Sequence, residues 1–257
     1  EAGNKEWVAL WKKTRVWSLA NFKKIYQILG VKFDHYFFES EVEKEGKEIV
    51  GELLKKGVAE KSQGAVIVDL SKYGLDIFLI LKSDGATLYA TKDLALAREK
   101  LKKYKISKNL VVTDSRQSFY FQQLFKTLEL MSFKTLIEHL PYEFVTLPEG
   151  AMSSREGNAV LFFDLLAQAQ AKLEAETKTR HPRWPASKIK KTATALALAG
   201  LKFDMLKVQP AQVITFDLAA ALSFTGFTGP YLEYSLARIN SIFKKSKNFN
   251  SKFKIQN

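Results

Sequence analysis

A polar loop between two apolar runs carries side chains suited to gripping a chain of phosphates. Residues 147–158 read LPEGAMSSREGN, so two glycines flank the hydroxyls of Ser153 and Ser154 and the guanidinium of Arg155. Hydroxyl and guanidinium groups donate hydrogen bonds to phosphate oxygens, and arginine can do so in a forked, charge-assisted way. Glycine lets the backbone approach a ligand closely. A solvated surface turn has the same composition, because turns are commonly polar, and both interpretations stay open.

Two other segments combine charged, hydroxyl and amide side chains after apolar runs. They are residues 89–93, YATKD, and residues 114–117, DSRQ. In a parallel sheet, ligands gather at the carboxyl ends of the strands. We therefore expect these two segments and the loop at residues 147–158 to lie at strand ends of this kind.

Periodicity predicts the elements that hold these segments. The alternation of strand and helix indicates an α/β fold, with a parallel sheet and helices on its faces. The tryptophans of the first predicted helix are expected to lie in the core. Helices are predicted at residues 6–29, 39–56, 92–104 (capped by Thr91), a stretch ending at 131, 164–179, 188–206, 211–222 and 231–245. Strands are predicted at residues 31–38, 65–70, 77–82, 86–90, 109–113, 142–147 and 159–163.

Composition limits the class of protein. A length of 257 residues allows one large domain or two smaller ones. Cysteine is absent, which excludes disulfides and thiolate metal sites and suits a reducing compartment. No apolar run reaches the ~20 residues of a membrane span, and residues 1–11 do not resemble a secretory signal. The net charge of +13 favours a polyanionic partner such as nucleic acid, although scattered lysines also serve solubility.

Five segments occur in the order found in one known family. They read FDHYFFES at 33–40, LKSDG and YATKD between 81 and 93, SRQ and FQQLF between 115 and 125, the loop at 147–158, and TGPYLEYSLARI at 228–239. Together they resemble the arginyl-tRNA synthetases, which are class I aminoacyl-tRNA synthetases. The loop resembles the Lys-Met-Ser-Lys-Ser signature of the class, and the last segment resembles the start of the anticodon-binding domain.

The resemblance implies a fold and an activity. Residues 1–163 would form part of a Rossmann-like catalytic domain with an insertion. Residues 164–222 would form a helical connecting region that contacts the tRNA stem, and residues 223–257 the start of an all-α anticodon-binding domain. The implied enzyme is a cytoplasmic ligase that uses ATP with Mg²⁺ to convert arginine to arginyl-adenylate and transfers the arginyl group to tRNA(Arg). It needs neither a protein-bound metal nor a membrane.

The resemblance also assigns an arginine pocket. Its tyrosine, aspartate and glutamine correspond to Tyr89, Asp93 and Gln117. A guanidinium has five donors and no acceptor, which Asp93 can meet with charge and paired oxygens and Gln117 with a carbonyl. Tyr89 can offer a ring face or a hydroxyl. Without the resemblance, the favoured interpretation is that Asp93 serves the positive N-terminal end of its helix.

The same comparison assigns the ATP site to the loop. Met152 would lie near the adenine, while Ser153, Ser154 and Arg155 would be catalytic and hold the triphosphate. The first lysine of the signature is replaced here by Ala151. Arginyl enzymes often lack that lysine, so Arg155 would be the main cation of the loop.

Other departures concern histidine. Tyr120 stands where many relatives have histidine, and neither His35, His139 nor His181 lies in the His-x-Gly-His signature of the class. The anticodon-binding domain would also stop after roughly one or two helices. We therefore expect a chain truncated at both ends, which makes no arginyl-adenylate alone and needs an N-terminal half. The alternatives are a non-catalytic RNA-binding protein derived from a synthetase, and another class I synthetase such as a cysteinyl enzyme, which the lack of cysteine disfavours.

Overall fold

The computed structural model describes residues 4–104, 106–148, 150–151 and 160–246. The helices are α1 Lys5–Leu29, α2 Glu39–Lys55, α3 Tyr89–Tyr104, α4 Ser118–Leu130, α5 Phe162–Arg180, α6 Ala186–Leu206, α7 Leu218–Ala221 and α8 Gly229–Lys245. The strands are β1 Glu60–Ser62, β2 Ala65–Asp69, β3 Ile77–Leu81, β4 Lys108–Asp114, β5 Leu136–Tyr142, β6 Val145–Leu147, β7 Gly150–Ala151 and β8 Ile214–Thr215.

The chain divides into two compact units. Phe33–Phe144 forms an α/β unit, and Glu1–Lys32 together with Val145–Asn257 forms a helical unit. This division follows contacts within the chain. The domain boundaries expected after residues 163 and 222 stay a prediction.

The α/β unit contains two small sheets. Strands β1, β2 and β3 form an antiparallel sheet, whereas β4 and β5 pair in parallel from Lys108 opposite Leu136 to Asp114 opposite Tyr142. Helices α2, α3 and α4 contribute to one core with the antiparallel sheet. Its most deeply buried side chains include Ile49, Leu53, Val68, Ile80, Leu94 and Leu128.

Helices α2 and α3 pack closely, which fixes the helix that carries Asp93. Gly46 allows this approach, because a Cβ there would lie 2.6 Å from the carbonyl oxygen of Thr91. Arg98 adds a forked ion pair, with its two terminal nitrogens 2.9 and 2.6 Å from the carboxylate oxygens of Glu52. These contacts hold α3 in a fixed position against α2.

The helical unit is built on α5, α6 and α8. Helix α8 starts with three residues of distinct roles: the Thr228 hydroxyl caps the amide of Tyr231 at 3.2 Å, Gly229 approaches the backbone of Ala199, and Pro230 occupies the first turn. Proline suits the first turn of a helix, because the amides there have no acceptor within the helix and the N–H that proline lacks is not needed. The Thr-Gly-Pro sequence thus sets α8 against α6.

Several predicted elements are wrong. Residues 31–38 form no strand, because their rings pack locally and on α3, with His35 4.4 Å from the Tyr104 ring. The strand expected at 86–90 is reduced to one bridge, and that expected at 159–163 gives way to α5 from Phe162. The helix expected at 211–222 is only α7, which Asp217 caps after β8.

Strand β5 was not predicted, and the tryptophans of α1 are not core residues. The β5 sequence, LIEHLPY, mixes polar and apolar residues and contains a proline. Trp7 is 69% exposed, and Trp11 lies under the guanidinium of Arg15 at 4.7 Å. The end of α1 is better anchored, since Lys202 donates to the Leu29 carbonyl at 3.0 Å.

Candidate active site

The turn between β3 and α3 sets where α3 begins. Gly85 adopts the left-handed conformation at φ 76°, and the Asp84 carboxylate accepts a hydrogen bond from the Ala86 amide at 2.8 Å. Helix α3 starts at Tyr89, so Tyr89 and Asp93 lie one turn apart on one face.

Thr91 joins this first turn to the sheet. It was expected to cap α3 but lies within it, fully buried. Its hydroxyl donates to the Ile80 carbonyl and accepts from the Leu88 amide at 3.0 Å. Lys92 adds an ion pair of 2.6 Å with Glu39 on α2. These contacts fix the backbone next to Asp93.

The Asp93 carboxylate is half-buried and accepts a hydrogen bond from the Tyr120 hydroxyl at 2.6 Å. Burial raises its pKa above the ordinary value, and the negative charge of Glu39 acts in the same direction. The Tyr120 hydrogen bond and the charges of Lys100 and Lys92 act against this rise without cancelling it. The ionised carboxylate is thus short of positive partners, as is common at functional sites.

Tyr120 is held in place as a donor to Asp93. Its ring packs edge-on against Phe78 and Phe121, with centroid distances of 5.7 and 5.1 Å. Burial, followed by the charge of Asp93, raises the pKa of Tyr120. The hydroxyl therefore keeps its proton and can orient the carboxylate.

The segment after β4 orients Gln117. The Asp114 carboxylate accepts from the Arg116 amide at 3.1 Å, from its Nε at 3.0 Å and from Gln117 Nε2 at 3.3 Å. The hydrogen bond from Arg116 is the main reason that the pKa of Asp114 is lowered. Because a carboxylate can only accept, Gln117 turns its amide nitrogen to Asp114, and its amide oxygen is available for a donor.

Asp93 and Gln117 line the same cavity, whose volume is about 280 Å³. Side chains of α3, β4, α4 and β5 form its walls, which are apolar apart from a few polar groups. Tyr89 is 72% exposed and does not line this cavity. The structure therefore brings together two of the three residues of the expected arginine pocket, and all three roles stay predictions. The other polar residues along the cavity are Lys100, Asn109 and Thr113.

Sequence reasoning missed Lys100 and Thr113. Lys100 lies two turns after Asp93 on the same face of α3, a spacing that could have indicated it. Burial lowers its pKa, while Asp93 acts in the opposite direction. The Thr113 hydroxyl lies 2.8 Å from His139 Nε2 on β5, a partner whose strand was not predicted.

The expected ATP loop is described only at its start. Leu147 of β6 pairs with Gly150 of β7 in a tight antiparallel turn, and β6 also pairs in parallel with β8. Gly150 has a φ of 128°, which glycine adopts readily. Met152, Ser153, Ser154 and Arg155 lie outside the described residues, so their roles stay predictions.

Comparison with known proteins decides the family. The sequence model described as "tRNA synthetases class I (R), catalytic domain" matches residues 1–218. The chain belongs to this family. It is 38% identical over 239 residues to an arginine–tRNA ligase of Bdellovibrio bacteriovorus, covering 92% of this chain and 41% of that protein. It is 39% identical over 249 residues to one of Streptococcus thermophilus, covering 96% and 44%. The chain spans less than half the length of these synthetases.

Solved structures agree on the fold. The arginyl-tRNA synthetase of Thermus thermophilus matches with a TM-score of 0.73 and 26% identity, covering 88% of this chain and 44% of that one. The enzyme of Plasmodium falciparum matches with a TM-score of 0.79 over 96% of this chain and 42% of its own length, and at 22% identity this likeness concerns the fold alone. The mixed α/β fold followed by a helical segment is thus the class I synthetase fold.

In the described ranges, no three or more acidic, histidine or cysteine side chains are grouped so that they could hold a metal ion. No helix in the same ranges combines the length and the apolar character needed to cross a bilayer.

Proposed function

We propose that the chain is part of an arginine–tRNA ligase and supplies the Asp93 side of its arginine pocket. In the whole enzyme, the carboxylate of arginine would attack the α-phosphate of ATP, forming arginyl-adenylate and releasing pyrophosphate. The arginyl group would then pass to the terminal ribose of tRNA(Arg). Neither step needs a covalent enzyme intermediate, so the protein's task is to position reactants and stabilise phosphate charge.

The observation that carries this proposal is the half-buried Asp93 carboxylate in a cavity shared with Gln117. A guanidinium would supply the positive charge that Asp93 lacks, and its fixed fork of donors suits a carboxylate next to an amide oxygen. The ammonium of lysine is more strongly hydrated and less directional, so it fits such a pocket less well. Lys100 would compete only weakly with a bound guanidinium for Asp93, because burial lowers the pKa of Lys100 and so disfavours its charged form.

The ATP side of the proposal rests on the sequence of the loop. Met152 would lie near the adenine, and Ser153, Ser154 and Arg155 would hold the triphosphate as charge moves along it. We place Mg²⁺ on the ATP phosphates, because Mg²⁺ at such sites is usually held by substrate phosphates, water and one or two carboxylates. A cytoplasmic location also belongs to the proposal, and cell fractionation would test it.

The whole enzyme would need a further segment of protein that covers one face of the β4–β5 pair. Parallel sheets are normally covered on both faces. One face of the β4–β5 pair nevertheless exposes a row of apolar side chains, which includes Leu110, Val112, Leu136 and Leu140. The family's first half of the nucleotide-binding fold is the segment we propose to cover it, so the chain alone would not form arginyl-adenylate.

Arginine binding by the isolated chain tests the arginine pocket directly. We would titrate the ¹⁵N-labelled chain with L-arginine and with L-citrulline, which has nearly the same shape but no charge. Arginine should shift amide signals of α3 and of residues 114–117 more strongly than citrulline, because only arginine pairs with the Asp93 carboxylate.

The matched variants are Asp93→Asn and Asp84→Asn. Both remove one carboxylate from the α/β unit, but only Asp93 lines the cavity. Asp93→Asn should abolish the preference for arginine, whereas Asp84→Asn should preserve it. Equal binding of citrulline and arginine by the unchanged chain would refute the pocket.

A further inference from the structure

Lys100 is a half-buried cation of the arginine cavity to which the proposed reaction gives no role. It lies two turns after Asp93 on the same face of α3, and both side chains line the cavity. The Cα–Cβ bond of a helical residue is tilted towards the N-terminus of its helix, which for Lys100 is the direction of Asp93. The cavity therefore has a carboxylate and an ammonium along the same wall.

An aromatic ring outside the cavity holds the ammonium of Lys100. The Lys100 Nζ lies 5.7 Å from the centre of the Phe37 ring, and Phe37 does not line the cavity. Phe37 in turn packs on α3, since its ring lies edge-on to that of Tyr104 with 6.1 Å between centroids. A cation over a ring face is attracted by the π electrons of the ring. The segment at residues 31–38 thus contacts the cavity residue Lys100 through Phe37.

The charges around Asp93 make Lys100 its available counter-ion. Burial is the main reason that the pKa of Asp93 is raised, and the charge of Glu39 on α2 adds to the rise. The Tyr120 hydroxyl of α4 and the charges of Lys100 and Lys92 act to lower this pKa. Lys92 has an ion pair of its own with Glu39 at 2.6 Å. In the described part of the chain, Lys100 forms no ion pair, and Asp93 is the charge that acts to raise its pKa.

The protonation state of Asp93 decides which ligand the cavity prefers. An ionised carboxylate only accepts hydrogen bonds, which suits the five donors of a guanidinium. A protonated carboxyl group also donates one hydrogen bond, and the neutral urea group of citrulline has an oxygen that can accept it. If Asp93 gained a proton, the cavity would therefore lose part of its preference for arginine over citrulline.

We propose that Lys100 is a positioning residue that keeps Asp93 ionised and thereby makes the cavity prefer a charged guanidinium to a neutral urea. Phe37 holds the ammonium where its charge stabilises the carboxylate without an ion pair that would exclude the ligand. The inference rests on the proposed function, since it takes arginine as the ligand of this cavity.

The titration of the Asp93 carboxyl group tests the effect of Lys100 without any ligand. We would follow its ¹³C NMR signal against pH in the unchanged chain, in Lys100→Met and in Lys103→Met. Lys100→Met should move the midpoint to higher pH, because the ionised carboxylate loses a nearby cation. Lys103→Met is the matched control and should leave the midpoint unchanged. The Lys103 ammonium also lies over the Phe37 ring, at 5.9 Å, but does not line the cavity.

Two further variants separate the charge of Lys100 from its packing. Lys100→Gln also removes the charge and should shift the midpoint in the same direction as Lys100→Met. Lys100→Arg keeps the charge and should retain most of the original midpoint. Circular dichroism would check that each variant is folded. The other titratable and charged groups around the cavity are the same in every variant, and they are Glu39, Lys92, Asp114, Arg116, Tyr120 and His139.

Ligand titrations test the consequence for specificity. Arginine and citrulline would be titrated into the same proteins at a series of pH values. The ratio of arginine affinity to citrulline affinity should fall as the pH falls, because Asp93 gains a proton. In Lys100→Met this fall should occur at higher pH, displaced by the same shift as the Asp93 midpoint. Lys103→Met should follow the unchanged chain.

The outcomes separate this inference from the proposed function. A higher Asp93 midpoint in Lys100→Met but not in Lys103→Met, with a matching displacement of the arginine preference, would support the inference. Equal midpoints in the unchanged chain and Lys100→Met, or equal shifts from the two lysine variants, would overturn it. If the midpoint moves but the unchanged chain does not prefer arginine at neutral pH, the proposed function fails and the effect of Lys100 on Asp93 stands.

Discussion

Asp93 is a half-buried carboxylate held at a fixed position with little positive charge around it. Packing of α3 against α2 and β3 fixes its backbone, Tyr120 holds one oxygen at 2.6 Å, and burial raises its pKa. A group in this state costs stability when it is ionised without a partner. Family motifs could predict Asp93 and Gln117 because both lie within short, ordered segments. Thr113 and its partner His139 could not be predicted, because their contact depends on the pairing of two strands.

Tyr120→Phe should weaken arginine binding, because the carboxylate loses the donor that orients it. Hydrogen bonds to charged groups contribute about 1.5–3 kcal/mol, so we expect a loss of about tenfold or more in affinity. Tyr120→His keeps a hydrogen-bond donor at this position and should therefore retain part of the arginine affinity that Tyr120→Phe loses. The arginine titration described above measures both changes. Equal affinity of Tyr120→Phe and the unchanged chain would show that the hydroxyl has no positioning role.

Asp93→Asn should raise the free energy of unfolding at neutral pH. The folded-state pKa of Asp93 is raised, so the folded protein binds this proton more tightly than the unfolded chain. Stability therefore falls as pH rises from the ordinary pKa of 3.8 through the raised value, and the amide variant lacks this loss. Urea unfolding at neutral and at acidic pH measures the effect. The difference in unfolding free energy between Asp93→Asn and the unchanged chain should become smaller at acidic pH. If Asp93→Asn is less stable than the unchanged chain at both pH values, burial is not the cause of the raised pKa.

At the level of elements, polar caps explain where α1, α7 and α8 begin, and Gly46 explains how closely α2 and α3 pack. Helices with long apolar periodicity, such as α2 and α6, could be predicted from sequence. The segment at residues 211–222 could not, because Asp217 caps α7 late and Ile214 and Thr215 pair with β6 instead. Strand β5 lacks a clean two-residue alternation of apolar and polar side chains. In both segments, pairing with a strand distant in sequence determines the secondary structure.

Gly46→Ala and Gly51→Ala form a matched pair within α2. A Cβ at Gly46 would lie 2.6 Å from the Thr91 carbonyl oxygen, whereas a Cβ at Gly51 meets nothing within 4 Å. Gly51→Ala should stabilise the chain by up to about 1 kcal/mol through helix propensity. Gly46→Ala should destabilise it, because overpacking costs about 1–3 kcal/mol. Thermal or urea unfolding measures both, and equal stabilisation by both would show that α2 and α3 are not in close contact.

At the scale of the molecule, each of the two units has large apolar side chains that remain exposed to solvent. The free face of the β4–β5 pair and the tryptophans of α1 are examples, one from each unit. The prediction that the tryptophans lie in the core is wrong, since Trp7, Trp11 and Trp17 are 48–69% exposed. The chain spans 41–44% of the length of the relatives described above.

Arginine-dependent exchange of pyrophosphate into ATP tests whether the chain is part of an arginine-activating enzyme. We would compare the isolated chain with a chimaera in which it replaces the matching segment of the Bdellovibrio bacteriovorus synthetase. We expect no exchange by the isolated chain and arginine-dependent exchange by the chimaera. In the chimaera, Asp93→Ala should raise the KM for arginine at least about 100-fold, because breaking a buried charged pair costs ~3–5 kcal/mol. Exchange by the isolated chain, or a folded chimaera whose exchange does not depend on arginine, would contradict the account.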